Sequence, residues 1–303
     1  MEILQTLDTT LVKKSPFKIF LEITKARLAI SVVFSTVAGY FLAIPSLEYF
    51  NLSTFIFVII GGYCMVGASN VFNQILEKDI DSKMDRTKSR PLPSELISVN
   101  QALFVGVLFT LIGLVLLYNV NPKTAMFGAL SIFIYVALYT PMKTMTPLAV
   151  FVGAFPGAIP YMLGWVAADG DFGVEAGTLF AIQFLWQFPH FWAIGWFLYD
   201  DYKKAGISML PTDEKDKKTA LQIILYTIWT IVISVVPFLG YTGQFKLSIY
   251  GFISVLLLGF WFLHYSFQLY KKMTVAAARK LMIVSVIYIS LLQIIYVIDK
   301  FLY

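Results

Sequence analysis

The chain has 303 residues, of which 58% are hydrophobic, 17% aromatic and 14% charged. Soluble domains carry about 25% charged residues, so this composition cannot supply a water-facing surface and describes a polytopic helical membrane protein. The net charge of +5 is therefore a matter of loops and topology rather than a nucleic-acid footprint; the single Cys64 excludes an intramolecular disulfide framework, two histidines are too few for a His-rich metal centre, and no zinc-ligand or P-loop spacing occurs.

Residues 1–27 are polar and mixed, with Lys13, Lys14, Lys18, Lys25 and Arg27. Glu2, Asp8 and Glu22 argue against a mitochondrial transit peptide, which is poor in acids. Apolar runs follow at 28–44, 54–72, 100–119, 124–140, 148–167, 176–199, 220–240, 248–269 and 281–298. Most approach the roughly 20 residues that span a bilayer. The expected fold is all-α, with nine transmembrane helices over residues 28–298 and a short tail at 299–303. Twenty of the 23 Lys and Arg then fall on the N-terminal side of the membrane, against Lys123, Lys246 and Lys300 on the other. That bias predicts a cytoplasmic N-terminus, cytoplasmic loops at 73–98 and 200–219, and an external C-terminus.

The first of those loops holds the densest charge. Asn73, Glu77, Asp81 and Asp85 recur every four residues, with Asp79 on the other side. On a continuous helix this spacing stacks side chains along one face, about 5–6 Å apart. Several oxygens so placed suit a shared hard cation such as Mg²⁺. Arg86, Lys88 and Arg90 follow, and Pro91 is expected to end the helix, leaving Asp81 at a wet helix end. Carboxylates for metal beside cations for phosphate, at the mouth of an apolar helix, suit a metal-bridged polyphosphate. The competing reading is a solvated loop of exposed i,i+4 charges. Four oxygen side chains in register next to RTKSRPL favour the site.

Two more elements belong to the same face. Tyr139-Thr-Pro-Met-Lys143 joins the fourth and fifth spans and carries a lone lysine, by itself an ordinary topology anchor. After the sixth span come Asp200 and Asp201, backed by Lys203 and Lys204, while Asp213, Glu214 and Asp216 are expected to be solvated. The two acidic loops lie four helices apart, which hints at an internal duplication without a residue-level repeat. Gly153, Pro156, Gly157, Pro160 and Gly164 interrupt the fifth span, where close helix packing is the expected cause. Gln187, Pro189 and His190 sit inside the sixth, where polar groups face a bundle interior or a cavity. His190 is either a satisfied interhelical donor or a substrate contact; His264 has no charged company and reads as structural.

These residues together resemble the UbiA superfamily of intramembrane prenyltransferases, over nearly the whole chain. The resemblance is carried by Thr24 to Leu28, by Asn73 to Asp81 with RTKSRPLP, by Tyr139 to Lys143 with Thr146-Pro147, and by VGAFPGAIPYMLGW. PHFWAIGW and DDYKKAGISMLP match its heme-modifying branch rather than its quinone branch. The superfamily's first motif, Asn-x-x-x-Asp-x-x-x-Asp, has Glu77 in the middle position here, and its second motif is replaced by the adjacent pair Asp200 and Asp201. The resemblance implies a helical bundle around a central cavity and transfer of a farnesyl group from farnesyl diphosphate to a vinyl group of heme B, with heme B as substrate rather than cofactor. It implies Mg²⁺ on Asn73, Glu77, Asp81, Asp200 and Asp201. Lys143 joins them as a catalytic group, and Arg27, Arg86, Arg90, Tyr139, Lys143, Lys203, Lys204 and His190 bind substrate. A bacterial inner-membrane location follows, with membrane lipid around the chain, heme A synthase or terminal-oxidase assembly proteins as partners, and no nucleic acid. Two alternatives stay open: a UbiA-type enzyme acting on a quinone precursor or chlorophyllide, and a cation-coupled transporter. The carboxylates lie at helix ends rather than at the bilayer midplane, which disfavours transport.

Overall fold

The computed structural model describes residues 14–303; the part of the N-terminal segment that includes Glu2, Asp8 and Lys13 lies outside the described residues. Helices are the regular structure of the described residues, and many of them start where the sequence supplies an oxygen cap. Ser15 caps α1 (Pro16–Ile23), with Pro16 in the first turn. Pro fits there because the first-turn N–H has no intrahelical partner. α2 (Ala26–Ala43) follows directly from α1, and Asn51 caps α3 (Leu52–Leu76). One further turn forms α4 (Lys78–Asp81). Ser98 and Gln101 make a reciprocal capping box for α5 (Val99–Val120), and Asn121 caps α6 (Pro122–Phe133). α6 continues through a π-helical turn at Ile134–Tyr139 into α7 (Thr140–Met142). Then come α8 (Ala149–Asp169), α9 (Val174–Phe197), the short α10 (Tyr199–Lys204), α11 (Lys217–Val235), α12 (Ile249–Lys272) and α13 (Val275–Leu302).

Among the described residues, eight helices are long and apolar enough to cross a membrane: α2, α3, α5, the α6–α7 rod, α8, α11 with its 3₁₀ extension, α12 and α13. The expected nine includes α9, which is 24 residues long but is diluted by Gln183, Gln187 and His190. Its placement explains this polarity. α9 packs against α8, α11 and α13, and so is surrounded by protein rather than lipid. The last span starts at Val275, six residues before the apolar run at 281–298, because Thr274 caps the helix there.

Packing divides the helices into two rings. α2, α3, α5, α6 and α8 close one; α9, α11, α12 and α13 close the other; α8 against α9 and α2 against α13 join them. The α2–α8 crossing is backbone to backbone. A Cβ on Gly164 would sit 1.9 Å from the Thr36 carbonyl oxygen, and one on Gly39 would sit 2.1 Å from that of Tyr161. Glycine is the residue that permits this approach. Close packing thus accounts for Gly164, as the sequence suggests. Pro160 leaves the Pro156 carbonyl without its helical donor, and the Ser131 hydroxyl donates to it at 3.3 Å.

Candidate active site at the charged end of the bundle

α3 does not run on through the first acidic loop. It stops at Glu77, whose backbone (φ −96°, ψ 10°) breaks the helix before the single turn of α4. The helix therefore ends at Asp81, ten residues before Pro91, and the expected continuous stack of Asn73, Glu77, Asp81 and Asp85 is not formed. The kink still turns three of the four inward. Asn73, Glu77 and Asp81 are buried, whereas Asp85 and Asp79 are exposed. Asp81 is not at a wet helix end: its relative exposure is 0%. The loop beyond folds back over it, anchored by buried Met84, Thr87 and Leu92, with the Thr87 hydroxyl donating to the Asp81 carbonyl at 2.8 Å.

Each inward oxygen group is held by a cation from a different part of the chain. The Lys143 amine donates to Glu77 Oε1 at 2.8 Å. The Arg90 guanidinium donates to Asp81 Oδ2 at 2.7 Å. Lys25 donates to Asn73 Oδ1 at 3.2 Å, and the Asn73 amide reaches Thr140 Oγ1 at 3.4 Å. The Thr140 hydroxyl in turn donates to the Tyr135 carbonyl at 2.8 Å, the carbonyl that also accepts the Thr140 N–H in the i−5 pattern of the π-helical turn. That turn presents the Tyr135 and Tyr139 rings to Lys143, whose ammonium lies 4.4 Å from the Tyr139 centroid. Burial pulls the Lys143 amine down, but Tyr139, Tyr135 and Glu77 outweigh it and hold the group above its ordinary range. Burial dominates at Lys25, and with Arg90 and Lys143 nearby it lowers that amine to about 7.

The second acidic loop begins with a kink of the same geometry. Leu198 (φ −99°, ψ 9°) separates α9 from α10 as Glu77 separates α3 from α4. Counted from the kinks, Asp200 matches exposed Asp79, and Tyr202 matches buried Asp81. This register explains a departure from the expected ligand set. The Asp200 side chain is 81% exposed and pairs with Lys215 at 3.4 Å, away from the first loop. Asp201 does turn toward it, and its Oδ1 accepts the Asp85 N–H at 3.0 Å. Lys204 closes the same junction by donating to Asp85 Oδ2 at 2.9 Å. Hydrogen bonds from Lys88 and Lys204 hold the Asp85 carboxyl down to about 2. The Ser208 N–H donates to the Lys143 carbonyl at 3.1 Å, so the segment after α10 also covers the site. The end of α9, α10 and the segment after it themselves enclose a pocket of about 220 Å³ lined by Tyr199, Tyr202, Lys203, Ser208 and Asp213.

Other expected contacts fall differently. Arg27 is exposed; Lys25, held in a left-handed conformation (φ 48°), is the cation that enters the site. The Thr24–Leu28 motif contained both, and a spacing of two residues keeps them from facing the same way. Arg86 and Lys203 are exposed at the rim, with Lys203 5.7 Å from the Tyr199 ring. Tyr135 and Tyr202 carry no charge pattern in the sequence and come to light only through the π turn and the second kink. Asp216 caps α11 rather than standing free in solvent.

The inward donors suit a hard divalent cation in kind: Asn73, Glu77 and Asp81 turn side-chain oxygens to one end of the bundle, and Asp81 Oδ1 is buried without a hydrogen-bond partner. Among the described residues no three His, Cys, Asp or Glu side chains form a closed metal cage. The cations now bonded to Glu77 and Asp81 occupy that role instead.

The sequence profile of the UbiA prenyltransferase family matches residues 32–292. A protoheme IX farnesyltransferase of Flavobacterium johnsoniae is 64% identical over 97% of this chain and 98% of its own length. One from Cytophaga hutchinsonii is 44% identical over 94% and 99%. Among solved structures, a digeranylgeranylglyceryl phosphate synthase covers 95% of this chain and 99% of its own at a TM-score of 0.78 and 19% identity. A UbiA homologue from Archaeoglobus fulgidus bound to DMAPP and Mg²⁺ covers 93% and 98% at a TM-score of 0.67 and 15% identity. At those identities the structures speak for the fold alone.

Proposed function

The chain belongs to the UbiA prenyltransferase family, and on that premise we propose that it is a protoheme IX farnesyltransferase, transferring farnesyl from farnesyl diphosphate to the 2-vinyl group of heme B. One observation carries this reading: 64% identity along 97% of the chain to a protein of that name. The allylic C–O bond breaks and its electrons leave with diphosphate. The farnesyl carbon bonds to the terminal vinyl carbon, water adds its oxygen to the inner one and loses a proton, and the product is heme O.

The charged end of the bundle supplies what this chemistry asks of a protein. Asn73, Glu77, Asp81 and Asp201 are the residues whose oxygens would hold Mg²⁺. When bound, Mg²⁺ neutralises charge on the departing diphosphate. Lys143 and Arg90, fixed at the same mouth by Glu77 and Asp81, add positive charge for the leaving phosphate oxygens. Arg86, Lys203 and Lys204 at the rim attract the anion. Asp200 serves through Lys215 at the edge rather than as a metal ligand. The Tyr139 and Tyr135 rings wall the Lys143 side of the site, where faces of aromatic rings suit a developing allylic cation. His190 contacts the heme, and the outward-facing apolar helices sit in lipid. Mass analysis of hemes extracted from a host lacking heme O, with and without this chain, tests the reading. Heme O in the complemented cells is the expected result; a prenylated quinone precursor in its place transfers the chain to the quinone branch.

A further inference from the structure

From the hydrogen bonds around His190 we infer that Ser285, on α13, is a positioning residue that fixes the His190 tautomer so that Nε2 presents a lone pair to the iron of the acceptor heme. The inference rests on the heme reading above and adds a residue with no part in the charged end.

The argument is one of counting protons. Ser285 is fully buried and has one hydroxyl proton, which it donates to the Met282 carbonyl at 2.6 Å. Toward His190 Nδ1, 2.8 Å away, the Ser285 oxygen can therefore only accept. Nδ1 must carry the imidazole proton, and Nε2 is left as a bare lone pair. The pair is held from a second direction. Trp186 donates its indole N–H to the Ser285 carbonyl at 2.7 Å and stacks on the imidazole at a centroid distance of 4.7 Å and 18°. Hydroxyl, carbonyl and stacking ring thus set both the proton and the plane of His190.

Nε2 has no partner among the described residues, yet it is not among the nitrogens and oxygens enclosed by protein. Gln183, Gln187 and His190 follow i, i+4, i+7 and share one face of α9. At Gln183 that face is filled, because Gln293 donates to Gln183 Oε1 at 3.2 Å and to Ser35 at 3.0 Å where α2, α9 and α13 meet. Gln187 is spent on the carbonyls of Ala154 and Gln183. His190 lies about 10 Å nearer the charged end and keeps its outer nitrogen open. A histidine whose inner N–H is fixed by a hydrogen bond, and whose outer nitrogen is free, is a preorganised iron ligand. A plain interhelical hydrogen bond would need neither the Ser285–Met282 bond that sets its polarity nor an open Nε2.

The test uses the full chain in lipid nanodiscs in a His264→Gln background, which leaves His190 as the sole histidine. Two-bond ¹H–¹⁵N correlation on the heme-free protein should show the Nδ1-protonated form; the Nε2-protonated form overturns the inference. Hemin and iron-free protoporphyrin IX are then titrated into the parent, Ser285→Ala and Ser285→Thr. Hemin affinity should fall about 10- to 100-fold in Ser285→Ala, with the Soret band leaving its histidine-ligated position, and recover in Ser285→Thr. Iron-free porphyrin binding should not change. If Ser285→Ala fails to insert, the tautomer of the parent read by the two-bond correlation decides: the Nδ1-protonated form supports the inference and the Nε2-protonated form refutes it. Identical hemin spectra and affinities in the parent and Ser285→Ala overturn the positioning role while leaving farnesyl transfer standing. No hemin binding by the parent refutes the acceptor reading itself.

Discussion

At the scale of single residues, the candidate site stores its carboxylates against its own cations, and this decides what substitutions should do. Asp81 is buried and bonded to Arg90 at 2.7 Å while its other oxygen has no partner. Asp81→Asn keeps the volume but removes the charge that a divalent cation and Arg90 both use. Turnover should fall by at least about 100-fold, on the scale of losing a key electrostatic group. Unlike a change at a wet helix end, it should also lower stability by about 1–3 kcal/mol, since Arg90 loses its ionic partner. Heme O formation and thermal unfolding in detergent measure the two effects; near-normal heme O removes Asp81 from the mechanism. Lys143→Met acts differently. The lysine touches Glu77 and two tyrosine rings but holds no metal. Binding of a non-hydrolysable farnesyl diphosphate analogue should weaken by about tenfold, the value of one charge-assisted contact, while its Mg²⁺ dependence persists. Loss of that dependence would make Lys143 part of the metal site.

At the scale of elements, the two acidic loops behave as one device because two like kinks aim them at each other. Glu77 and Leu198 share a backbone conformation, and each starts a short helix that lies at the same end of the bundle. Asp85 is the clasp: its N–H meets Asp201 and its carboxylate meets Lys204. The second loop therefore meets the first through Asp201, not Asp200. Residues acting as a unit give non-additive losses, so Asp81→Asn, Asp201→Asn and the double variant should lose similar amounts of activity, and Asp200→Asn should lose little. Full additivity in the double variant would mean two independent loops. The clasp has its own signature. Lys88 and Lys204 depress the Asp85 carboxyl to about 2. A depressed acid gives stabilisation that is complete above its unfolded value, about 3.9, and is lost as pH falls through the folded one. Between pH 5 and 8 the clasp should not respond to pH, but as an exposed pair it should respond to salt. Spin labels replacing Lys83 and Lys203 should report one narrow distance distribution at both pH values and a broader one in 0.5 M salt, by order of magnitude well beyond the Debye screening threshold. A distribution that broadens between pH 8 and 5 would assign the junction to some other group.

At the scale of the whole molecule, what the sequence disclosed and what it hid follow from the range of each interaction. Membrane spans are legible because about 20 apolar residues in a row have one cheap solution in a bilayer. Even α9 was countable by length, though its glutamines and His190 lower its hydropathy below that of its neighbours. Asn73, Glu77, Asp81, Arg90 and Lys143 stand out in the sequence by residue type and spacing, and the fold pairs them at one end of the bundle. The kinks at Glu77 and Leu198, the inward turn of Lys25 instead of Arg27, and the Ser285–His190 pair are not legible there. Each is settled by tertiary contacts between segments tens to hundreds of residues apart, which leave no local period. Orientation in the membrane is the one global property that rests on charge counting, and its test is direct. Among the described residues, the end bearing Asn73, Lys143 and Asp201 carries nineteen Lys and Arg; the opposite end carries Lys123, Lys246 and Lys300, with Lys123 bonded to Asp171 at 2.7 Å. Positive loops stay in the cytoplasm, so the site should open inward, toward the compartment where a soluble diphosphate is released. Replacing buried Cys64 by Ser removes the only native thiol. Single cysteines at Ser94, Asp171 and Asp213 then report sidedness to a membrane-impermeant maleimide in intact cells. Asp171→Cys should label from outside, and Ser94→Cys and Asp213→Cys only after permeabilisation. Labelling of the Asp171 and Asp213 positions from one side would mean that α9 does not cross, that eight spans rather than nine thread the bilayer, and that the two acidic loops cannot share a face.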